Sequence, residues 1–426
     1  IRMKHGNGLR RVAITGLGCL TPIGNGREAF AAGLREGRSG TARISLFDPE
    51  GLPVTIAAEV KGFDPADHMP VRELRHVARV VPLSLAAAAE AFGDAGLDPG
   101  RFTLEERRNT GVVFGSGGGP VEFFERMYGH WYRGDLKKAS VYSIPTGTIG
   151  TLSSEISMRF GLKGPSHVVT TGCTSSVDAL AYAAKSIAWG ERDVVLTGGA
   201  DAVITPGIMT GFALMRILAA ARQDRPATAS RPFDAGRDGF VLGEGAWLFV
   251  LEPWERARAR GAKVYAEVLG YASTCDAHHR VRLDESGEEP ARAMVEALRD
   301  AGLSPPDVGY IQYHGTSTVL NDVIETRATK LALGARAAAI PGSTVKSQIG
   351  HPQGASGAAG LAASLLALAD GFLPATINLD EPDPECDLDY VAHRPRRAEV
   401  EFALCNGIAF GSKNSALVVR NGRAVA

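Results

Sequence analysis

Short apolar runs alternate along the chain with longer runs in which small and apolar residues recur at helical spacing. Val-Ala-Ile-Thr at 12–15 predicts a strand that ends at Gly16. Residues 82–93 carry the pattern of a buried helix, closed by Asp94-Ala95-Gly96. A strand over 111–115 runs into a glycine-rich loop. Another over 168–171 turns sharply at Gly172-Cys173, and helical periodicity over 174–189 stops at Gly190. A strand over 193–197 follows, then Gly198-Gly199. Strands and helices in this alternation predict an α/β fold. No Pro- or Ser-rich linker and no low-complexity tract interrupts it, which predicts tightly joined parts.

The pattern occurs twice. Ala91-Phe92-Gly93-Asp94-Ala95-Gly96-Leu97-Asp98-Pro99 resembles Ala297-Leu298-Arg299-Asp300-Ala301-Gly302-Leu303-Ser304-Pro305. Each ends a predicted helix and precedes a predicted strand, over 111–115 and 310–313. Strand, turn and small-residue helix then recur over 168–189 and 343–369, and a strand ending in glycine closes each set, at 194–199 and 403–407. The shared order predicts an internal duplication with a period far too long for a solenoid. The boundary is expected near 256–262, giving halves 1–258 and 259–426. By this repeat the turn at Gly350-His351-Pro352 is equivalent to the turn at Gly172-Cys173.

Composition narrows the function. Lys plus Arg number 46 and Asp plus Glu 47 in 426 residues, a net charge of -1 that argues against a general nucleic-acid binder. Glycine is enriched, at 51 residues, which predicts tight turns and close backbone approaches. The five cysteines are odd in number and none forms a C-x-x-C pair, so neither a disulfide framework nor a cysteine zinc site is expected, and a reducing, cytoplasmic setting is. The first eleven residues lack the apolar core of a signal peptide. The longest uncharged stretch, 347–369, contains His351, Pro352 and many glycines, and reads as a buried helix rather than a membrane span.

Cys173 stands between an apolar strand and a helix start, where the helix dipole and free N–H groups favour a thiolate and an oxyanion. Local sequence alone leaves it equally a buried structural cysteine. His314 follows a strand in Tyr-His-Gly-Thr-Ser-Thr, placed to face a cleft, although alone it reads more simply as a structural histidine. The duplication raises His351, because equivalent turns can meet at a pseudo-dyad. One cysteine, two histidines and the nearby Lys346 form a set suited to covalent catalysis at sulfur. Other motifs carry less. Gly16-Leu17-Gly18 lacks the third glycine of a dinucleotide loop, and Gly115–Pro120 lacks the Gly-Lys-Ser/Thr ending of a phosphate loop. Asp276, His278 and His279 have no second cluster at ligand spacing, so a loop role is expected over a metal. The basic run 393–397 reads as a solvated face or a patch for an acidic partner.

Five segments together resemble the β-ketoacyl-[acyl carrier protein] synthases of the thiolase superfamily. They are Thr171-Gly172-Cys173-Thr174-Ser175-Ser176; Asp234-Ala235-Gly236-Arg237-Asp238-Gly239-Phe240-Val241-Leu242-Gly243-Glu244-Gly245; His314-Gly315-Thr316-Ser317-Thr318; Lys346-Ser347 with Gly350-His351; and Phe410-Gly411 with Asn414. The likeness runs from Arg11 to Val419. It implies a five-layered αβαβα thiolase-like fold of two duplicated halves, usually dimeric. It implies that Cys173 accepts an acyl chain as a thioester, and that His314 and His351 assist decarboxylation of a malonyl thioester and stabilise its enolate. It implies an oxyanion hole from the N–H groups of Cys173 and Phe410, with Phe410 as a gate. Lys346 and Glu325 match a supporting ion pair, and Thr316 and Thr318 match contacts to a phosphopantetheine arm. No cofactor or metal bound by this chain is implied, since substrates arrive on the phosphopantetheine of an acyl carrier protein.

The turn Thr-Gly-Cys-Thr-Ser looks most like the ketosynthase alpha subunits of type II polyketide synthases, which pair with a chain-length-factor homologue lacking the nucleophile. A heterodimer is therefore expected, with a homodimeric fatty-acid-elongating synthase as the alternative and a catalytically silent subunit as the reading from another class. One departure stands out. The family commonly has Gly-Phe-Gly-Gly where this chain has Ala409-Phe410-Gly411-Ser412, which predicts a stiffer gate loop.

Overall fold

A computed structural model describes residues 8–411 and 413–424. Ser412, one of the two residues expected to stiffen the gate loop, lies outside the described residues, as does most of the segment considered for a signal peptide.

Ten strands run side by side in one sheet: β1 (Val12–Thr21), β2 (Thr110–Gly115), β3 (Ser166–Val169), β4 (Val194–Asp201), β5 (Gly245–Pro253), β6 (Ala266–Cys275), β7 (Tyr310–Gln312), β8 (Gly342–Ser343), β9 (Phe402–Ala409) and β10 (Lys413–Asn421); an eleventh, the two-residue strand Gly24–Asn25, pairs with the end of β1. The helices that matter for the site are α1 (Val80–Asp94), α2 (Ser175–Ala188), α3 (Glu288–Ala301), α4 (Val319–Leu333) and α5 (Ser356–Ala369).

The sheet order itself displays the duplication. From its centre outward, one half runs β1-β5-β4-β2-β3 and the other β6-β10-β9-β7-β8. In both, the first two pairings are antiparallel and the last two parallel. The halves join where β1 runs antiparallel to β6, with Val12 opposite Val268. Residue-level details repeat as well. Asp94 of α1 accepts the Leu17 N–H of β1, and Asp300 of α3 accepts the Tyr271 N–H of β6. Gly16 lies against Ala91 and Ala95, and Gly270 against Ala297 and Ala301.

The layers are α1, the first half-sheet, a central pair α2 and α5, the second half-sheet, then α3 with α4. Alternation along the strands builds them. In β5, Ala246, Leu248 and Val250 face the core under α1, while Trp247, Phe249 and Leu251 face the core around α2 and α5. In β10, Leu417 and Val419 point to that same central core, and Ala416 and Val418 to the one under α3. Helix α5 is buried through Leu368, as expected for 347–369, and no helix among the described residues is long and apolar enough to cross a membrane.

One element differs from expectation. The first strand does not stop at Gly16 but continues to Thr21. Gly16 and Gly18 are not a turn. They leave room for α1, whose Ala91 and Ala87 carbonyl oxygens would sit 2.2 and 2.1 Å from a Cβ at these positions. Elsewhere the boundaries shift by a few residues, as the ends of helices and strands commonly do.

Candidate active site

Helices α2 and α5 bring their N-terminal ends together between the two half-sheets. Ser176 Oγ accepts the Ala358 N–H at 2.9 Å, and a Cβ on Gly357 would fall 2.1 Å from Val177. Cys173 lies two residues before the start of α2 and His351 five before that of α5, and the two equivalent turns meet. Cys173 Sγ lies 3.2 Å from His351 Nε2, and both residues are buried. The His314 ring stands perpendicular to that of His351 with centroids 5.5 Å apart. One ligand-type atom from each of Cys173, His314 and His351 falls within 4.8 Å of the others.

Each group is held from behind. Gly172 adopts φ of 74°, which lets the chain reverse at the cysteine, and a side chain there would press on Ala409 Cβ at 3.3 Å. The Val241 carbonyl accepts the His351 N–H, the His351 carbonyl accepts the Gly243 N–H, and the Phe240 ring meets the imidazole edge-on at 5.1 Å. Residues 240–243 of the segment 234–245 are therefore the cradle of His351. For His314, α4 supplies two buried carboxylates. Glu325 accepts the N–H groups of His314 and Gly315, both at 2.7 Å, and Asp322 accepts that of Thr316 at 3.1 Å. Thr316 Oγ1 and Thr318 Oγ1 are 2.9 Å apart.

The expected ion pair between Lys346 and Glu325 is not formed. Lys346 Nζ instead donates to the His314 carbonyl and lies 3.4 Å from His314 Nδ1, while Glu325 is occupied by backbone donors and by Asn406 Nδ2 at 3.3 Å. The two buried charges still act on each other at longer range. Burial pushes Glu325 up and Lys346 down, and each partner opposes the shift.

The electrostatics also correct the expected thiolate. Burial pushes the Cys173 thiol up to about 11, and Asp201 adds to the rise. Lys346 and the backbone N–H groups of Phe410 and Cys173 pull only partly back. Desolvation outweighs the helix end. Burial, together with Lys346, holds both histidines well below the usual imidazole range, and His351 lowers His314 further. The resting site therefore contains a neutral thiol beside two neutral imidazoles. That arrangement suits transfer of the thiol proton at the moment of attack and hydrogen-bond donation to a developing oxyanion.

Sequence reasoning missed two buried carboxylates that join the halves here. Asp178 on α2 accepts four hydroxyls: Thr171 and Thr174 from the cysteine turn, Tyr271 of β6 at 2.7 Å, and Ser415 of β10. Asp201, at the end of β4, accepts Ser116 Oγ and the N–H groups of Gly117, Gly118 and Gly354. The glycine-rich loop 115–120 thus serves Asp201, not a phosphate. Their signal in the sequence was a lone acid inside an otherwise apolar segment. The remaining motifs take loop roles. His279 Nδ1 accepts the N–H groups of Val281 and Arg282, Asp276 accepts Asn414 Nδ2, and within the basic run Arg396 pairs with Asp389.

Family models decide the membership. The model for the β-ketoacyl synthase N-terminal domain matches residues 9–257, and that for the C-terminal domain matches residues 265–380. The chain belongs to the β-ketoacyl synthase family. Synthases of this family are acyltransferases that form a carbon–carbon bond by condensing an extender unit with an acyl chain, and so does this chain. It is 38% identical to the 3-oxoacyl-[acyl-carrier-protein] synthase 2 of Vibrio harveyi, over 96% of this chain and 98% of the relative. It is 43% identical to a Streptomyces halstedii protein named as a polyketide β-ketoacyl synthase 1, again over 96% and 98%. Among solved structures, the ishigamide ketosynthase/chain length factor superposes with a TM-score of 0.89 at 35% identity, covering 97% of this chain and 99% of its own. The thiolase-like fold of this synthase is thereby shared over nearly its whole length.

Proposed function

We propose that this synthase elongates a polyketide chain held on Cys173, drawing its malonyl extender from an acyl carrier protein. The carrying observation is the contact of Cys173 Sγ with His351 Nε2 at 3.2 Å, beside a perpendicular His314. In the first half-reaction the thiol proton moves to His351 Nε2. The sulfur attacks the acyl thioester, and the N–H groups of Cys173 and Phe410 hold the oxyanion. The departing pantetheine thiolate takes the proton. In the second, imidazole N–H groups of His314 and His351 donate to the malonyl thioester oxygen. Carbon dioxide leaves, the enolate attacks the acyl-Cys173 carbonyl, and the C–S bond breaks to release Cys173 as a thiolate, which takes a proton from solvent to restore the thiol. Lys346, a donor at His314 Nδ1, keeps the proton of that ring on Nε2. Thr316 and Thr318, at the mouth of the histidine loop, contact the phosphopantetheine arm. Residues 1–258 form the half with the nucleophile and 259–426 the half with both histidines.

The polyketide reading is favoured over fatty-acid elongation by the higher identity to the Streptomyces relative and by Thr174, whose hydroxyl is engaged by Asp178. A chain-length-factor homologue is the proposed partner. The outer edge of β3 is unpaired among the described residues, and Val141, Ile144 and Met158 are exposed apolar side chains in the same half. Intact-mass spectrometry after mixing with acyl- and malonyl-carrier proteins tests the chemistry. An acyl adduct that disappears in Cys173→Ala, with a β-ketoacyl carrier as product, is expected. Absence of any adduct from folded protein overturns the nucleophile. Full elongation of fatty acyl carriers by the chain alone as a homodimer overturns the polyketide and heterodimer readings.

A further inference from the structure

The two imidazoles have different company at Nδ1. His314 Nδ1 faces Lys346 Nζ at 3.4 Å; as an ammonium that group can only donate, which favours the tautomer with its hydrogen on Nε2. His351 Nδ1 faces Ser356 Oγ at 2.9 Å. Ser356 is the first residue of α5, is buried, and has no other side-chain hydrogen bond among the described residues. A hydroxyl both donates and accepts. It can accept Nδ1–H when Nε2 must receive a proton, and can donate to Nδ1 when Nε2 must carry one.

Resting on the roles proposed above for Cys173 and His351, we propose that Ser356 is a positioning residue that lets His351 exchange tautomers between the two half-reactions, while His314 stays a fixed donor. In acyl transfer, Cys173 S–H gives its proton to His351 Nε2. The imidazolium then has hydrogens on both nitrogens, and Ser356 Oγ accepts the one on Nδ1. The C–S bond to pantetheine breaks as the bond to Cys173 forms, and the leaving thiolate takes the proton from Nε2. Between the half-reactions, as one carrier leaves and the next enters, Nε2 takes a proton from water and the Nδ1 proton passes through the Ser356 hydroxyl to water, so the ring changes tautomer with no net change in protons. In decarboxylation itself no proton moves at His351. Nε2–H donates to the enolate oxygen, and the Ser356 hydroxyl turns to donate to Nδ1. The other groups facing His351 are Cys173, His314 and Lys346, with Asp201 acting on Cys173. None of them touches Nδ1, so the exchange depends on Ser356 alone.

The roles separate in the half-reactions. Ser356→Ala removes the acceptor that the imidazolium needs but leaves the neutral Nε2–H form available. Acyl transfer to Cys173, followed by intact mass in a quench-flow series, is expected to slow about tenfold or more, the size of effect found when the hydrogen-bond partner behind a metal-ligating histidine is removed. Malonyl-carrier decarboxylation by enzyme whose Cys173 is already blocked is expected to change less than threefold. Ser356→Thr, which keeps the hydroxyl, restores acyl transfer, and the KM for the acyl carrier stays within twofold in both variants. Equal loss in both half-reactions, loss in neither, or failure of Ser356→Thr to rescue a folded enzyme overturns the proposal. His351→Ala is the separate control. If it leaves both half-reactions intact, the assignment of His351 fails rather than that of Ser356.

Discussion

Cys173 is the residue at which burial and the proposed nucleophilic role pull in opposite directions. Its turn supplies N–H groups that favour a thiolate, yet loss of solvent raises the thiol to about 11. Reactivity in the empty enzyme should therefore track a small thiolate fraction. Alkylation of Cys173 by iodoacetamide, followed by peptide mapping to separate it from exposed Cys275, is expected to accelerate roughly tenfold per pH unit from pH 7 to 9 and to show no plateau below about pH 10. A plateau near pH 8 would mean that the sulfur and His351 share a proton as a stable ion pair. The same balance explains which site residues were legible. Cys173, His314 and His351 sit in short motifs whose chemistry is carried by residue type and by place at strand or helix ends. Ser356 and Asp178 carry no such mark. Their roles arise only when α5 places a hydroxyl at Nδ1, and when strands from the other half deliver Tyr271 and Ser415 to one carboxylate. The misassigned Lys346–Glu325 contact has the same origin, since the backbone N–H groups of two adjacent residues, His314 and Gly315, occupy the carboxylate.

Among the elements, the close seat of α1 on β1 and of α3 on β6 sets where the strands can lie. At Gly270 an added Cβ would come 2.4 Å from the Ala297 carbonyl oxygen and 2.5 Å from the Ala301 nitrogen, both rigid backbone of α3. Gly270→Ala is expected to destabilise by about 1–3 kcal/mol in a denaturant titration. Gly93, inside α1 with nothing within 4 Å of a built Cβ, is the contrast. Gly93→Ala should be neutral or stabilise by up to about 1 kcal/mol. If the two substitutions behave alike, close packing is not the reason for glycine on β1 and β6. Helix positions were readable because small residues at helical period leave few alternatives, and α1 differs from expectation by two residues at its start and one at its end. Strand β1 was cut short because a glycine can mark either a turn or a helix pressed against a strand, and only packing separates the two.

For the whole molecule, the decisive property is that the atoms proposed to react come from opposite halves and that buried carboxylates cross between them. Asp178→Asn removes one full acceptor from a site that serves four hydroxyls of both halves. It is expected to lower kcat about tenfold, leave the KM for the carrier within twofold, and lower the unfolding midpoint, since a buried donor left unpaired costs about 1–3 kcal/mol. A fall in stability with kcat unchanged would show that the network holds the halves together without placing the cysteine turn. The equivalence of the Cys173 and His351 turns has a mechanical side too. Two points related by a two-fold and only 3.2 Å apart must both lie beside the axis. They occupy the rivet of a pair of scissors, where small rocking of one blade against the other moves the tips and leaves the centre almost still. Loops at the rim can thus be reshaped for longer or shorter guests while the spacing of sulfur and imidazole goes undisturbed.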